Sequence, residues 1–166
     1  MPGQLTKKVY SRLLLFTLFG FTLWFFGNLY EGVVITPNLL VDPVKKIYNW
    51  QGFFTITNPI FFYIPLAPMA VLAAFVLYFK TSKETAILKR HLGAAIVFLT
   101  FALGLGIFII TQINLRLFFG NIEKLSAEIY KLSVLWNLLN IVRVILLAFV
   151  IYHVFNAYIL IQQEAE

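Results

Sequence analysis

Trp136, Asn140 and Arg143 are spaced i, i+4 and i+7, so on a helix they share one face. That face is polar at the front of an apolar run that continues to the C-terminal tail. A guanidinium beside an amide supplies hydrogen-bond donors for negative charge that develops on an oxygen. Glu31 closes the first apolar run of the chain, where its carboxylate is the natural counter-charge for Arg143 or Arg116 and could also take a proton from a bound molecule. Asn28, Asn58, Asn114 and Asn137 stand near the ends of the apolar runs and add amide donors and acceptors. Whether these groups can meet depends on the elements that carry them.

Composition decides what those elements are. The chain of 166 residues is 61% apolar and only 12% charged, with a mean hydropathy of +0.87, whereas soluble domains run at about 45–50% apolar and about 25% charged. Uncharged runs extend from Arg12 to Glu31, from Lys46 to Lys80, from Arg90 to Arg116, and from Arg143 to the C-terminal tail. Each suffices for a membrane span, which needs about 17–25 helical residues. The reading is an all-α, membrane-spanning antiparallel four-helix bundle: a single transmembrane domain with helices near 13–30, 59–79, 92–115 and 135–161 and outer loops over 31–58 and 116–134. A β-barrel would need about ten-residue segments of alternating polarity, and no segment alternates for that long. The first run follows Lys7, Lys8 and Arg12 but is too long for a signal-peptide core and lacks a small-x-small cleavage site, so it is expected to be retained as a helix.

Lys and Arg are enriched in short cytoplasmic loops. Lys7, Lys8, Arg12, Lys80, Lys83, Lys89 and Arg90 lie on one side of this topology and Lys45, Lys46, Arg116, Lys124 and Lys131 on the other, the latter offset by Asp42, Glu123 and Glu128. Both termini are therefore expected in the cytoplasm of a bacterial cell, with the chain in the inner membrane. The net charge of +6 is accounted for by residues at membrane boundaries, where they meet anionic headgroups. No basic face suggests nucleic-acid binding. The chain has no cysteine, which excludes disulfides and thiol chemistry.

The first outer connection contains Pro37, Pro43 and Pro59; Asp42-Pro43 is expected to start a short interfacial helix carrying Val44, Ile47, Tyr48 and Trp50. In the second, Lys124, Glu128 and Lys131 are at helical spacing and could pair weakly. The two connections together would form a small extracytoplasmic cap. The glycines of ALGLG, 104 and 106, are expected to let the third helix pack closely against a neighbour.

Placed by depth, all four spans deliver polar residues to the outer half of the bundle: Asn28 and Glu31, then Thr57 and Asn58, then Thr111, Gln112 and Asn114, then Trp136, Asn137, Asn140 and Arg143. Polar groups in hydrocarbon are costly unless paired, a charge costing about 2.5–3.5 kcal/mol on insertion scales. They should turn inward and converge on a pocket rimmed by Trp24, Phe25, Phe53, Phe54, Phe118 and Trp136, which is the general form of a small-molecule site. In the inner half, His91 reads as interfacial and His153 as a packed neutral histidine, with proton relay or metal ligation as its alternative readings. No Gly-rich phosphate loop, no nucleophile elbow and no pair of carboxylates at inner positions is present.

An asparagine closing the first helix before a proline-containing outer loop, NP opening the second helix, TQINLRL closing the third, and Trp136-x-x-x-Asn140-x-x-Arg143 opening the fourth together resemble the anthrone-oxygenase-like membrane family, a large group of small and mostly bacterial four-helix proteins. The resemblance implies a compact bundle and the oxidation of an anthrone to an anthraquinone by molecular oxygen without metal or flavin. It also implies a site lined by Asn114, Trp136, Asn140 and Arg143; some members carry a histidine where this chain has Asn140. In that chemistry Glu31 would act as base, with Arg143 and Asn140 as the oxyanion stabilisers, and Asn28, Asn58, Asn114, Trp136 and Asn137 would bind the ligand. No cofactor is required. The expected partners are membrane lipid and a hydrophobic aromatic or quinone-like molecule, with self-association or membership of a larger membrane complex open. The alternative function is a non-catalytic membrane protein that binds lipid or serves as an accessory subunit of a larger membrane complex, and a small transporter or channel is the third reading.

Overall fold

The structure is a computed structural model that describes residues 6–82 and 85–163; Lys83, counted in the charge comparison, lies outside them. It is all-α among the described residues, with five helices: α1 (Lys7–Leu40), α2 (Pro43–Phe53), α3 (Ile60–Lys80), α4 (Ala86–Phe119) and α5 (Ile122–Gln163). All but α2 are long and apolar enough to cross a membrane. The protein is an integral membrane protein. Large apolar side chains such as Phe19, Phe26, Leu72, Phe79, Phe101, Ile107 and Ile145 point outward, where hydrocarbon rather than water meets them.

The helices alternate in direction. At the end that holds Lys7, the Tyr10 hydroxyl bonds the Thr81 hydroxyl, Lys89 Nζ donates to the Thr81 carbonyl at 2.9 Å, and Gln162 Nε2 donates to Ser11 Oγ at 2.6 Å. Helix α5 packs along both α1 and α4, and α1 also packs along α3. The interior is built mainly of small and branched residues, including Leu14, Ala70, Ala74, Leu99, Ala102, Leu147 and Val150, together with the aromatic Phe21. Without a hydrophobic drive between helices in lipid, association depends on close packing of small residues. Gly20 is one such position: a Cβ there would lie 2.5 Å from the Ala70 Cβ.

Two spans extend further than their apolar runs suggest. Helix α5 is one uninterrupted helix of 42 residues, about 63 Å at 1.5 Å per residue, and so projects well past a hydrocarbon core roughly 30 Å thick. The segment 116–134 is thus mostly helix rather than loop. No glycine or proline occurs between Ile122 and Gln163, and Ile129, Leu132, Ser133 and Trp136 form a buried stripe at helical spacing. Helix α1 likewise continues past Tyr30, through a π-turn over Glu31–Ile35, which takes up the chain just before Pro37, a residue that cannot donate to a regular helix. A second π-turn, Ile109–Asn114, interrupts α4. Helix α2 starts where Asp42-Pro43 suggests, with Asp42 in the left-handed region at φ 58°, and buries Ile47. It packs against α5 and the last turn of α4, capping one end of the bundle.

In the cap, Glu128 does not pair with Lys124 or Lys131. Its carboxylate accepts from Arg116 at 2.5 Å, because α4 and α5 are adjacent there and a guanidinium makes a better carboxylate partner than a lysine on the same helix. Arg116 is therefore not the counter-charge of Glu31. Gly104 faces open space, so of the two ALGLG glycines only Gly106 is buried at a contact.

Two outcomes follow from this packing. Gly20→Val should lower thermal stability in detergent by about 1–3 kcal/mol, the usual cost of overpacking, read from the midpoint of loss of helical circular dichroism. In sealed vesicles, single cysteines introduced into this cysteine-free chain at Lys46 and at Gln163 should react with a membrane-impermeant maleimide from opposite faces; labelling of both from one face contradicts the spanning arrangement.

Candidate functional site

The polar residues of three helices meet at one level. Measured from Lys7, Asn28 lies about 32 Å along α1, and Arg143 lies about 30 Å from the Gln163 end of α5. Arg143 is 8% exposed, Glu31 9%, and Asn28 and Asn140 are fully buried. The Arg143 Nη2 group donates to Asn28 Oδ1 across the helix interface and to Asn140 Oδ1 one turn back on α5 at 2.5 Å. Asn28 in turn donates through Nδ2 to the Trp24 carbonyl at 2.6 Å. Gly106 of α4 lies beside the guanidinium, where a Cβ would sit in ordinary van der Waals contact, 3.8 Å from Nη1.

Glu31 is held differently. Its Oε1 accepts a hydrogen bond from the Tyr63 hydroxyl of α3 at 2.7 Å. Gly27 makes this contact feasible, since a Cβ there would come within 2.7 Å of the Tyr63 ring and 2.8 Å of its oxygen. Because Glu31 opens the π-turn, its carbonyl receives both the Thr36 amide and the Thr36 hydroxyl at 3.0 Å. Glu31 and Arg143 form no direct ion pair, but their opposite charges lie close enough to act on each other, and in a low-dielectric interior that attraction is only weakly screened.

On the cap side of this cluster lies a chamber of about 210 Å³. Its polar lining is Glu31, Gln51, Asn58 and Asn114, and its walls include Trp50, Phe54, Phe118 and Trp136. The rings are contiguous: Trp50 contacts Phe54 and Phe118 at centroid distances of 5.3 and 5.1 Å, and Phe118 meets Trp136 edge to face at 6.0 Å. Gln51 fixes the roof by donating to the carbonyls of Leu117 and Gly120 at 3.0 and 3.2 Å. Asn58 accepts the Ile60 amide at 3.1 Å, closing the turn that starts α3. Both π-turns contribute to the lining, Glu31 from α1 and Ile110 and Asn114 from α4. Such turns recur at functional sites because they redirect side chains out of the regular helical register.

Of the residues singled out in the sequence, Glu31, Asn58, Asn114 and Trp136 line the chamber. Asn28, Asn140 and Arg143 do not; they form a buried layer beneath it. Asn137 is half-buried on α5, outside the lining. Of the expected aromatic rim, Phe54, Phe118 and Trp136 are present, while Trp24 and Phe25 pack inside the bundle and Phe53 points outward. Thr57, Thr111 and Gln112 are exposed. Tyr63, Trp50 and Gln51 are the residues that spacing alone missed. Tyr63 falls one turn into an apolar helix whose polar partner is on another span, and no local pattern marks it.

Several buried polar atoms around the cluster have no hydrogen-bond partner: Asn114 Oδ1, Asn137 Oδ1, Ser133 Oγ, Asn140 Nδ2 and Arg143 Nε. Buried polar groups without partners are rare and costly, so their concentration on α4 and α5 around one end of the bundle marks a place suited to a polar group from outside the chain. At the other end, His91 is not simply interfacial. Its Nδ1 lies 3.1 Å from Nδ1 of His153, one ring donating to the other, and the His153 ring stacks on Phe98 at 5.9 Å. No third His, Cys, Asp or Glu joins them among the described residues.

The charged layer should behave as a coupled unit. Arg143→Met leaves the Asn28 and Asn140 carbonyl oxygens unpaired and is expected to cost roughly 3–5 kcal/mol, as removing one partner of a buried charged network does. Glu31→Gln in that background should cost less than in the native protein, with a coupling of about 0.5–3 kcal/mol in a double-mutant cycle of detergent unfolding. Strict additivity would show the two charges to be independent.

No family model matches the chain, and no match is found among curated proteins or among solved structures.

Proposed function

We propose that the protein binds a small, hydrophobic, carbonyl-bearing aromatic molecule of the anthrone or quinone type in the chamber beneath its cap, and oxidises it. The observation that carries this reading is the composition of the chamber: five aromatic side chains around one buried carboxylate, with an unpartnered amide oxygen, Asn114 Oδ1, in the lining. Flat rings stack on aromatic side chains in offset or edge-on geometry, and a few placed polar groups set orientation. The resemblance to the anthrone-oxygenase-like family points to the same ligand class.

The chemistry needs no cofactor. Glu31 removes a proton from the methylene carbon that lies opposite the anthrone carbonyl, and the resulting electron-rich anion reacts with molecular oxygen. One oxygen atom becomes the new carbonyl, and the other leaves as water with the two methylene hydrogens. Tyr63 orients the carboxylate through its hydroxyl. Arg143, with Asn140 and Asn28 around it, contributes a positive charge behind the chamber that stabilises the anion at a distance rather than by direct contact; the expected oxyanion contact by Arg143 and Asn140 is replaced here by a role through the field. In orientation, the chamber faces the periplasm of a bacterial inner membrane, supported by Lys7, Lys8, Arg12, Lys80, Lys89 and Arg90 all lying at the opposite end.

The test uses the purified full chain in nanodiscs with anthrone as the substrate. Binding should quench fluorescence from Trp50 and Trp136, and oxygen-dependent formation of anthraquinone should exceed the protein-free rate. Glu31→Gln should retain the quench and lose about 100- to 10,000-fold in rate, the usual contribution of a general base. Absence of quench overturns the reading; binding with a full rate in Glu31→Gln removes the base assignment.

A further inference from the structure

We infer that the ligand of this chamber carries an aliphatic tail, and that the tail lies in a second cavity, a groove between α1 and α3 that opens to the bilayer. The inference rests on the ligand-binding reading above and adds the shape of the ligand and its route.

The groove is lined by apolar side chains of Phe19, Leu23 and Phe26 on α1 and by Phe62 on α3, with a volume of about 660 Å³. Its neighbours Phe19 and Phe26 are each 59% exposed, at depths where the surrounding medium is hydrocarbon. From Phe19 to Tyr30 it runs about 16 Å along α1 at 1.5 Å per residue, long enough for a substantial length of extended acyl or isoprenoid chain. Its upper end meets the chamber. Phe54 and Pro59 line both cavities, and Tyr63 lines the groove while its hydroxyl holds Glu31 on the chamber side. Three side chains thus separate a lipid-facing groove from the buried carboxylate.

The two volumes divide the ligand between them. Sites that enclose a whole drug-sized ligand run to roughly 300–1,000 Å³, so a chamber of about 210 Å³ holds a ring system and little more. The groove has the opposite chemistry, with Thr22 as its one side-chain hydroxyl apart from tyrosine, and offers a chain nothing but dispersion contacts. A tail there gains little transfer free energy, since it leaves one hydrocarbon for another. Its effect is to set the depth and orientation of the ring at Glu31, which is how remote parts of a substrate aid the reacting centre. A molecule of this form dissolves in the bilayer and reaches the chamber sideways, past Tyr63, without crossing the cap.

The experiment uses the full chain in nanodiscs with a benzoquinone bearing a decyl tail that carries a terminal diazirine. After photolysis, adducts are located by tandem mass spectrometry, with and without excess of the tail-less quinone. Adducts confined to Phe19, Leu23, Phe26 and Phe62, and suppressed by the tail-less competitor, support the inference; Leu23→Trp should then shift them off the groove while the tail-less quinone still quenches Trp50 and Trp136. Adducts scattered over the lipid-facing surfaces of all helices overturn the groove and leave the chamber reading intact. Groove adducts that the tail-less compound does not suppress identify an ordinary lipid-chain site and overturn the link between the cavities. If neither quinone quenches the tryptophans, the chamber reading fails and this inference with it.

Discussion

A guanidinium placed near the boundary of the hydrocarbon core must find oxygen partners within the protein, and Arg143 finds them on Asn28 and Asn140. Much of the bundle is arranged around that requirement. Asn28 faces inward, where it meets Arg143 from α1, and α5 carries Asn140 and Arg143 on the same buried stripe as Trp136. In lipid, where apolar contacts give helices little preference for one another, such polar contacts and the close approach at Gly20 and Ala70 specify which faces meet.

The same layer divides the molecule into two levels. Below it the interior is closely packed and apolar, and the spans are held at their far end by Tyr10, Thr81, Lys89 and Gln162. Above it the two π-turns open the helices, α2 folds over the gap, and a chamber remains. Each π-turn inserts an extra residue into its helix, rotating the part beyond by about 100° relative to regular α-helix. Asn114, at the far end of the second turn, and Glu31, at the start of the first, both line the chamber. The tight interior thus anchors a looser end, in keeping with the tendency of functional sites to carry irregular backbone on rigid supports.

Charge placement gives the chamber its chemical character. Glu31 is the one acidic side chain in its lining, and it receives a hydrogen bond from a neutral phenol rather than a salt bridge. An ion pair with Arg143 in direct contact would neutralise the carboxylate and occupy its lone pairs; the amide-bound guanidinium leaves them available. Gln51, by contrast, donates through Nε2 to two backbone carbonyls, and Asn58 accepts a backbone amide through Oδ1. Both therefore shape the walls through backbone contacts, which residue type alone does not reveal.

The number of spans, their apolar character and the level at which polar residues gather were legible in the chain itself, because each depends on composition and on distance along a helix of known rise. Glu31, Asn58, Asn114 and Trp136 were found that way, as was the start of α2 at Asp42-Pro43. The facing of each residue was not. A span surrounded by lipid is apolar on its buried and exposed sides alike, so no periodic contrast marks the inner face, as it would in water. Tertiary packing alone decided that Arg143, Asn28 and Asn140 form a layer beneath the chamber, that Arg116 turns to Glu128, that His91 meets His153, and that Tyr63 reaches Glu31 across the notch at Gly27. These are contacts between spans, and their energies depend on distances that one-dimensional spacing does not contain.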